Sequence, residues 1–332
     1  MNKYLSKLID TCVLMDLHRN RSKTFQFYRG TDTPVSTDQL NSFYPAPSTP
    51  DITFIQQGIL KNYSKGKYKF KSEIDNNGIS NDYSIGNFYK TESREQKISV
   101  ILVHGWRMNN FNILFDIYMK TFMEHKYNFY TFTLPHHFER SLENSLYNGE
   151  FMVSANIDRT LLSVKQAISD LRAMIRYLKE KNEKVILIGI SLGGFITNLT
   201  AVLEDRIDAL ISIMYANSLA FSVWKSLPGK YMKIDFEAHG FTYKQLKKYW
   251  AITNPSNFKP IIPKENILLF SGIHDTYVLN EDTDYLWEAW DKPQRLLYPS
   301  GHAGMVICRN EIRRKSMEFL RERLESDHVL VK

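Results

Sequence analysis

The sequence predicts an α/β protein, with a mainly parallel central sheet carrying helices on both faces and an insertion over one end. Three observations carry that prediction. Strongly apolar runs of strand length recur along the chain, as in "KISVILVHG" (97–105), "KVILIGIS" (184–191) and "NILLFSG" (266–272). Helical periodicities lie between them, and strands that read as continuous apolar runs belong to sheets buried on both faces. Finally, the aromatic-rich stretch 217–263 breaks the alternation of strand and helix, which marks it as a cap insertion.

The elements follow in order. The stretch "MNKYLSKLIDTCVLMDLHRN" reads as an amphipathic helix through Leu5, Leu8, Cys12 and Met15, expected to dock on the protein's own body. Asp10 and Asp16 interrupt its apolar patch and no small-residue cleavage site follows, so it does not read as a signal peptide. Residues 31–51, with Pro34, Pro45, Pro47 and Pro50, read as an extended connector. Residues 1–51 are therefore set apart as N-terminal helix and connector, and 52–328 form the main domain, with its cap at about 217–263. That domain opens with short alternating runs, "ITFIQQGIL", "KYKFKSEI" and "YSIGNFYKTE", which predict an antiparallel start to the sheet. Beyond 97–105, "YNFYTFTLP" (127–135) reads as a strand. Residues 156–181 read as a long helix, with Leu161, Val164, Ile168, Leu171, Ile175 and Leu178 on one face. After the strand at 184–191 come a helix at 193–204 and strands at 207–216, 266–272 and 294–300. "IRRKSMEFLRERLE" closes the chain as a helix.

Bulk composition narrows the function without naming it. The chain has 332 residues, 43% hydrophobic and 24% charged, which is ordinary for a globular protein with a substantial core. A net charge of +7 comes without a dense Lys/Arg block, zinc-finger spacing or RNA-binding signature, so a nucleic-acid partner is not expected. Cys12 and Cys308 have no metal-ligand spacing and fit a reducing cytosol, so a cytoplasmic location is expected. No run of about eighteen apolar residues predicts a transmembrane helix.

The chemistry begins at Ser191. Gly189-Ile190-Ser191-Leu192-Gly193 matches G-x-S-x-G, with Gly194 as a further small residue. In that motif a strand turns abruptly into a helix, and the serine is held so that its hydroxyl projects outward. Side chains two positions before and after would collide, hence the glycines. An apolar strand before Ser191 and a periodic helix after it supply the context the motif needs. The plain alternative is a strand-to-helix turn.

A serine nucleophile needs an imidazole, itself oriented by a carboxylate. Downstream of Ser191 stand His239, His274, His302 and His328. His302, in "YPSGHAG" after the last strand and before the final helix, is the candidate base. His239 falls in the insertion and His328 in the tail, while His274 follows the penultimate strand, where an acid is expected. Asp275 in "LLFSGIHDTYV" is the candidate acid, ahead of Asp282 and Asp284, which suit a helix start. The backbone N–H groups of Leu192 and Trp106 are the candidate oxyanion donors, with Trp106, in "VILVHGWR", preferred to Arg107. His104 is expected to hold that loop. "LPHHFER" (134–140), with His136, His137, Glu139 and Arg140, could line the pocket mouth, but reads first as a hydrogen-bonded loop fixing neighbouring segments. No metal-binding motif is present, so neither a metal nor a cofactor is expected.

With these residues in view, the chain resembles the α/β-hydrolase superfamily over roughly residues 52–325. Its C-terminal half bears a weaker likeness to the family of α/β-hydrolase domain-containing protein 18, through "GISLGG", "HDTYV", Trp287 and "SGHAG". Ile190 departs from many esterases and lipases, which have histidine there. The resemblance implies a serine hydrolase acting on a partly apolar ester through Ser191, His302 and Asp275. An acyltransferase would use the same three groups. A peptidase or a non-catalytic binding protein on the same fold are the remaining alternatives.

Overall fold

The computed structural model describes residues 3–19, 24–75, 81–92 and 97–324. Helix α1 spans Lys3–Arg19. A short helical turn then interrupts the connector, a 3-10 turn over Thr37–Gln39 running into α2 (Leu40–Phe43). The Ser36 hydroxyl and the Gln39 side chain cap that turn reciprocally, so the polar connector is not extended throughout.

Strands β1 (Thr53–Leu60), β2 (Tyr63–Lys71) and β3 (Tyr83–Thr91) form the antiparallel start expected from their alternating pattern. Next come β4 (Ile98–Val103), α3 (Asn112–Glu124), β5 (Asn128–Phe132) and α4 (Ile157–Glu180). They are followed by β6 (Lys184–Ile190), α5 (Leu192–Ala201) and β7 (Ala209–Ile213). The insertion contributes α6 (Leu219–Lys225), α7 (Lys230–Ala238) and α8 (Tyr243–Tyr249). The chain finishes with β8 (Ile267–Gly272), α9 (Asn280–Ala289), β9 (Gln294–Tyr298) and α10 (Arg309–Leu324). The sheet has nine strands in the order β1-β2-β3-β5-β4-β6-β7-β8-β9. It is parallel from β5 to β9 and antiparallel from β1 through the β3–β5 pairing.

Parallel strands buried on both faces read as near-continuous apolar runs, and β4 shows the consequence. Val100 and Leu102 face one core, with Phe122 of α3 and Phe319 of α10. Ile101 and Val103 face the other, with Leu171 of α4 and Phe195 of α5. Helix α3 was not among the expected elements. Its buried Leu114, Ile117, Tyr118 and Phe122 follow helical spacing, but Asp116 and Lys120 break up the run as read in sequence.

The docking face of α1 needs correction. Helix α1 forms, yet Leu5, Leu8, Cys12 and Met15 face solvent, and among its described side chains the buried ones are Ser6, Asp10 and Leu14. A polar group decides the docking face, because Asp10 finds hydrogen-bond donors on the body of the protein. The insertion's aromatics mostly pack against one another. Phe236 meets Trp224 and Trp250, and Phe241 meets Tyr249. The helix N-terminus at 193 in the sequence reading starts one residue earlier, at Leu192.

Candidate active site

The loops that follow the parallel strands meet where β6 stops. Ser191 stands between β6 and α5 with φ 55° and ψ −115°, a conformation costly for a non-glycine residue and held only by its surroundings. The surroundings are tight. A Cβ on Gly193 would lie 2.2 Å from the Val103 carbonyl oxygen, and one on Gly189 would lie 2.4 Å from that of Gly193. The two glycines thus let α5 start directly against β4 and β6, with the Ser191 N–H donating to the Ile213 carbonyl at 2.9 Å.

The structure brings Ser191, His302 and Asp275 together. Ser191 Oγ lies 3.1 Å from His302 Nε2, and His302 Nδ1 lies 2.7 Å from Asp275 Oδ2. A carboxylate only accepts, so Nδ1–H donates to it and leaves the Nε2 lone pair for the serine O–H. Asp275 Oδ1 accepts the N–H groups of Tyr277 and Val278, both at 2.8 Å, which fixes the carboxylate in its turn. The Tyr277 ring stacks on the imidazole with centroids 4.9 Å apart. Burial works against protonation of His302, but the charge and hydrogen bond of Asp275, with a smaller contribution from Asp10, outweigh it. The imidazole pKa is raised above 6.5.

The loop after β4 lies against the serine, since a Cβ on Gly105 would stand 3.2 Å from Ser191 Cβ. Trp106 and Leu192 both line the cleft that holds Ser191, and Trp106 is tied down by its indole N–H, which donates to the Gly149 carbonyl at 2.8 Å. His104 Nδ1–H donates to the Gly105 carbonyl at 2.8 Å while Nε2 accepts the Leu134 N–H at 3.1 Å. Burial pushes its pKa down to about 4, so it stays neutral and holds the loop. "LPHHFER" behaves likewise. Burial pushes His136 down to about 3 and His137 well below the usual histidine value. Asn81 Nδ2–H donates to His136 Nδ1 at 3.0 Å, and His137 Nδ1–H donates to the Pro135 carbonyl. Arg140 is fully buried on Asp170 of α4 at 2.9 Å, and Glu139 pairs with Lys67 at the surface.

The other sequence candidates sit elsewhere. His239 caps α7 and stacks on Phe27, and His328 lies outside the described residues. His274 takes its place in the same loop as Asp275, with its backbone N–H on the Ser300 carbonyl. Asp282 accepts the N–H groups of Asn217 and Ser218, so it ties α9 to the loop after β7, and burial pushes its pKa up to about 7. Asp284 pairs with Arg295 on the surface.

A cleft of about 480 Å³ opens onto Ser191 and His302. Its walls come from α1 (Ile9, Val13), the loop after β4, and the insertion (Leu219, Val223, Met232). The insertion therefore offers aliphatic side chains to the cleft and keeps most of its aromatics for its own core. A larger groove of about 640 Å³ lies over β2 and β3, lined by Lys67, Lys69, Asn87 and Asn109, and contains none of the three site residues. Among the described residues no group of three or more His, Cys, Asp or Glu could hold a metal ion, and no helix is long and apolar enough to cross a membrane.

Two partners of this site gave no signal in the sequence. Asp10 reads there as an interruption of an apolar patch, and Tyr277 stands in "HDTYV" with no role assigned. Only the fold brings either to His302.

With this geometry established, one comparison decides the family: the model of the PGAP1-like alpha/beta domain matches residues 94–296. The chain belongs to the PGAP1-like alpha/beta domain family. The matched span of the PGAP1-like domain contains Ser191 and Asp275 and ends before His302. Among curated relatives, the uncharacterized protein YdjC of Bacillus subtilis (strain 168) is 46% identical over 115 residues, 35% of this chain and 99% of YdjC. The uncharacterized protein Rv2627c of Mycobacterium tuberculosis is 28% identical over 170 residues, half of this chain; the match spans only 38% of that relative's length. Among solved structures, acetyl xylan esterase 1 from Thermoanaerobacterium sp. JW/SL YS485 superposes with a TM-score of 0.63 at 15% identity. That superposition covers 89% of this chain and 96% of the esterase. The PGAP1-like domain here therefore has the α/β-hydrolase fold.

Proposed function

We propose that the protein is a serine hydrolase that cleaves a carboxylic ester through an acyl-enzyme intermediate. The observation that carries this reading is the continuous hydrogen-bonded chain from Ser191 Oγ through His302 to Asp275. Ser191 attacks the ester carbonyl as His302 Nε2 takes its proton, and Asp275 stabilises the imidazolium that forms. The N–H groups of Leu192 and Trp106 receive the oxyanion. His302 then protonates the leaving alcohol and activates the water that releases the acid. The aliphatic cleft walls favour a substrate whose acyl part is apolar, and the esterase named among the structural neighbours shows that this fold supports ester cleavage in another protein.

The test is intact mass after incubation with a fluorophosphonate. A single adduct is expected on the native chain and none on Ser191→Ala, which should also lose about 10⁴-fold or more of any ester turnover. Absence of an adduct on folded native protein would overturn the reading.

A further inference from the structure

Helix α1, whose Ile9 and Val13 wall the cleft, holds the loops of the site through Asp10. Asp10 is wholly buried, although it stands on a helix whose neighbouring Leu8 and Val13 are exposed. Its Oδ2 accepts the Thr276 N–H at 3.2 Å, the Thr276 hydroxyl at 2.9 Å and the His302 N–H at 3.1 Å. Its Oδ1 accepts the Ala303 N–H at 3.0 Å. The Asp10 carbonyl also accepts the hydroxyl of Tyr277, the ring stacked on the imidazole, at 2.8 Å. One carboxylate therefore joins the loop that carries Asp275 to the loop that carries His302.

We infer that Asp10 is a positioning residue, a strut supplied by the N-terminal helix that holds the acid loop and the base loop at their working separation. This inference rests on the serine-hydrolase reading above. Two independent consequences follow. The His302 backbone hangs directly on Asp10, so losing the strut shifts the imidazole relative to Ser191, and displacements of about 1 Å cost on the order of 10²-fold in rate. Asp10 also places a second negative charge near the imidazole. The charged and titratable groups around His302 are Asp275 from the loop after β8, Asp10 from α1, Tyr277 stacked on the ring, and Arg107 in the cleft wall. Removing the Asp10 charge leaves His302 easier to deprotonate, because Asp10 helps to raise its pKa.

The experiment compares the full-length chain with Asp10→Asn, which keeps the shape but removes the charge and puts an NH2 in place of one of the two acceptor oxygens. Two quantities are measured: the second-order rate of fluorophosphonate labelling against pH, and the NMR titration of the His302 ring. The expected result is labelling slowed about 10²-fold, with both the labelling midpoint and the ring titration displaced to lower pH. A purely structural strut would lower thermal stability without moving the ring titration. Unchanged labelling and an unchanged His302 midpoint in folded Asp10→Asn would overturn the inference. Should that variant not fold, Thr276→Val removes one bond to the same oxygen and should slow labelling about tenfold; native-rate labelling there would overturn it equally. Failure of the native chain to label would instead count against the hydrolase reading, while the ring titration would still decide the role of Asp10.

Discussion

Asp170→Ala is the perturbation whose cost the structure allows to be worked most fully. Asp170 accepts from Arg140 Nη2 at 2.9 Å and from the Ser72 hydroxyl at 2.6 Å, with both charged side chains almost completely buried. Arg140 also donates to the Thr133 carbonyl at 3.0 Å and to the Asn81 carbonyl at 3.2 Å. Removing the carboxylate strands a buried guanidinium without its counter-charge, which costs about 3–5 kcal/mol. With an unfolding entropy of about 2.1 cal/mol/K per residue, 332 residues give about 0.7 kcal/mol/K, so the expected fall in Tm is about 4–7 °C. The double variant Arg140→Met with Asp170→Leu removes both charges. The Asn81 carbonyl still accepts from Gln166 at 2.6 Å, so the main group left unsatisfied is the Thr133 carbonyl, at about 1–3 kcal/mol. The double variant should therefore be more stable than Asp170→Ala. Urea unfolding of the native chain, Arg140→Met, Asp170→Leu and the double variant closes the cycle, with Asp170→Ala measured beside it. The reasoning fails if Asp170→Ala costs less than about 1 kcal/mol, or if the two single losses simply add in the double variant.

Three further outcomes follow from the site. Protonated His302 cannot take the serine proton, and its pKa is raised, so kcat/KM for an activated ester should fall as pH drops through a midpoint above 6.5. In Asp275→Asn that midpoint should move down while turnover drops about 10⁴-fold; a native midpoint below 6.5 would contradict the assignment. Gly193→Ala places a Cβ 2.2 Å from the Val103 carbonyl and 2.5 Å from that of His104, two backbone atoms that cannot swing aside. Fluorophosphonate labelling should slow by about 10²-fold or the chain should lose its fold, and native labelling with native Tm would refute the steric argument.

What the sequence disclosed depends on how local each physical cause is. The strand-to-helix turn at Ser191 is legible because glycine spacing and apolar flanks lie within a dozen residues. Asp275 and His302 are legible because each follows a strand in chain order. Within "LPHHFER" the bonds of His136 and His137 reach Asn81 and Pro135, so the loop-fixing reading needs only chemistry, whereas the choice of Asp170 as the partner of Arg140 needs the fold. Helix α1 marks the limit. Its hydrophobic pattern selects the face with Leu5, Leu8 and Met15, and the structure exposes that face. Burial of apolar area is worth about 25 cal/mol per Å², a few kcal/mol for such a stripe. Four donors arriving on one carboxylate oppose it with charge-assisted bonds of about 1.5–3 kcal/mol each. Those donors belong to Thr276, His302 and Ala303, more than 260 residues away in the chain. Periodicity can weigh the first contribution and is blind to the second. An acidic residue that interrupts an apolar run in the sequence of a helix is thus better read as a question about what it must meet than as a break in the pattern.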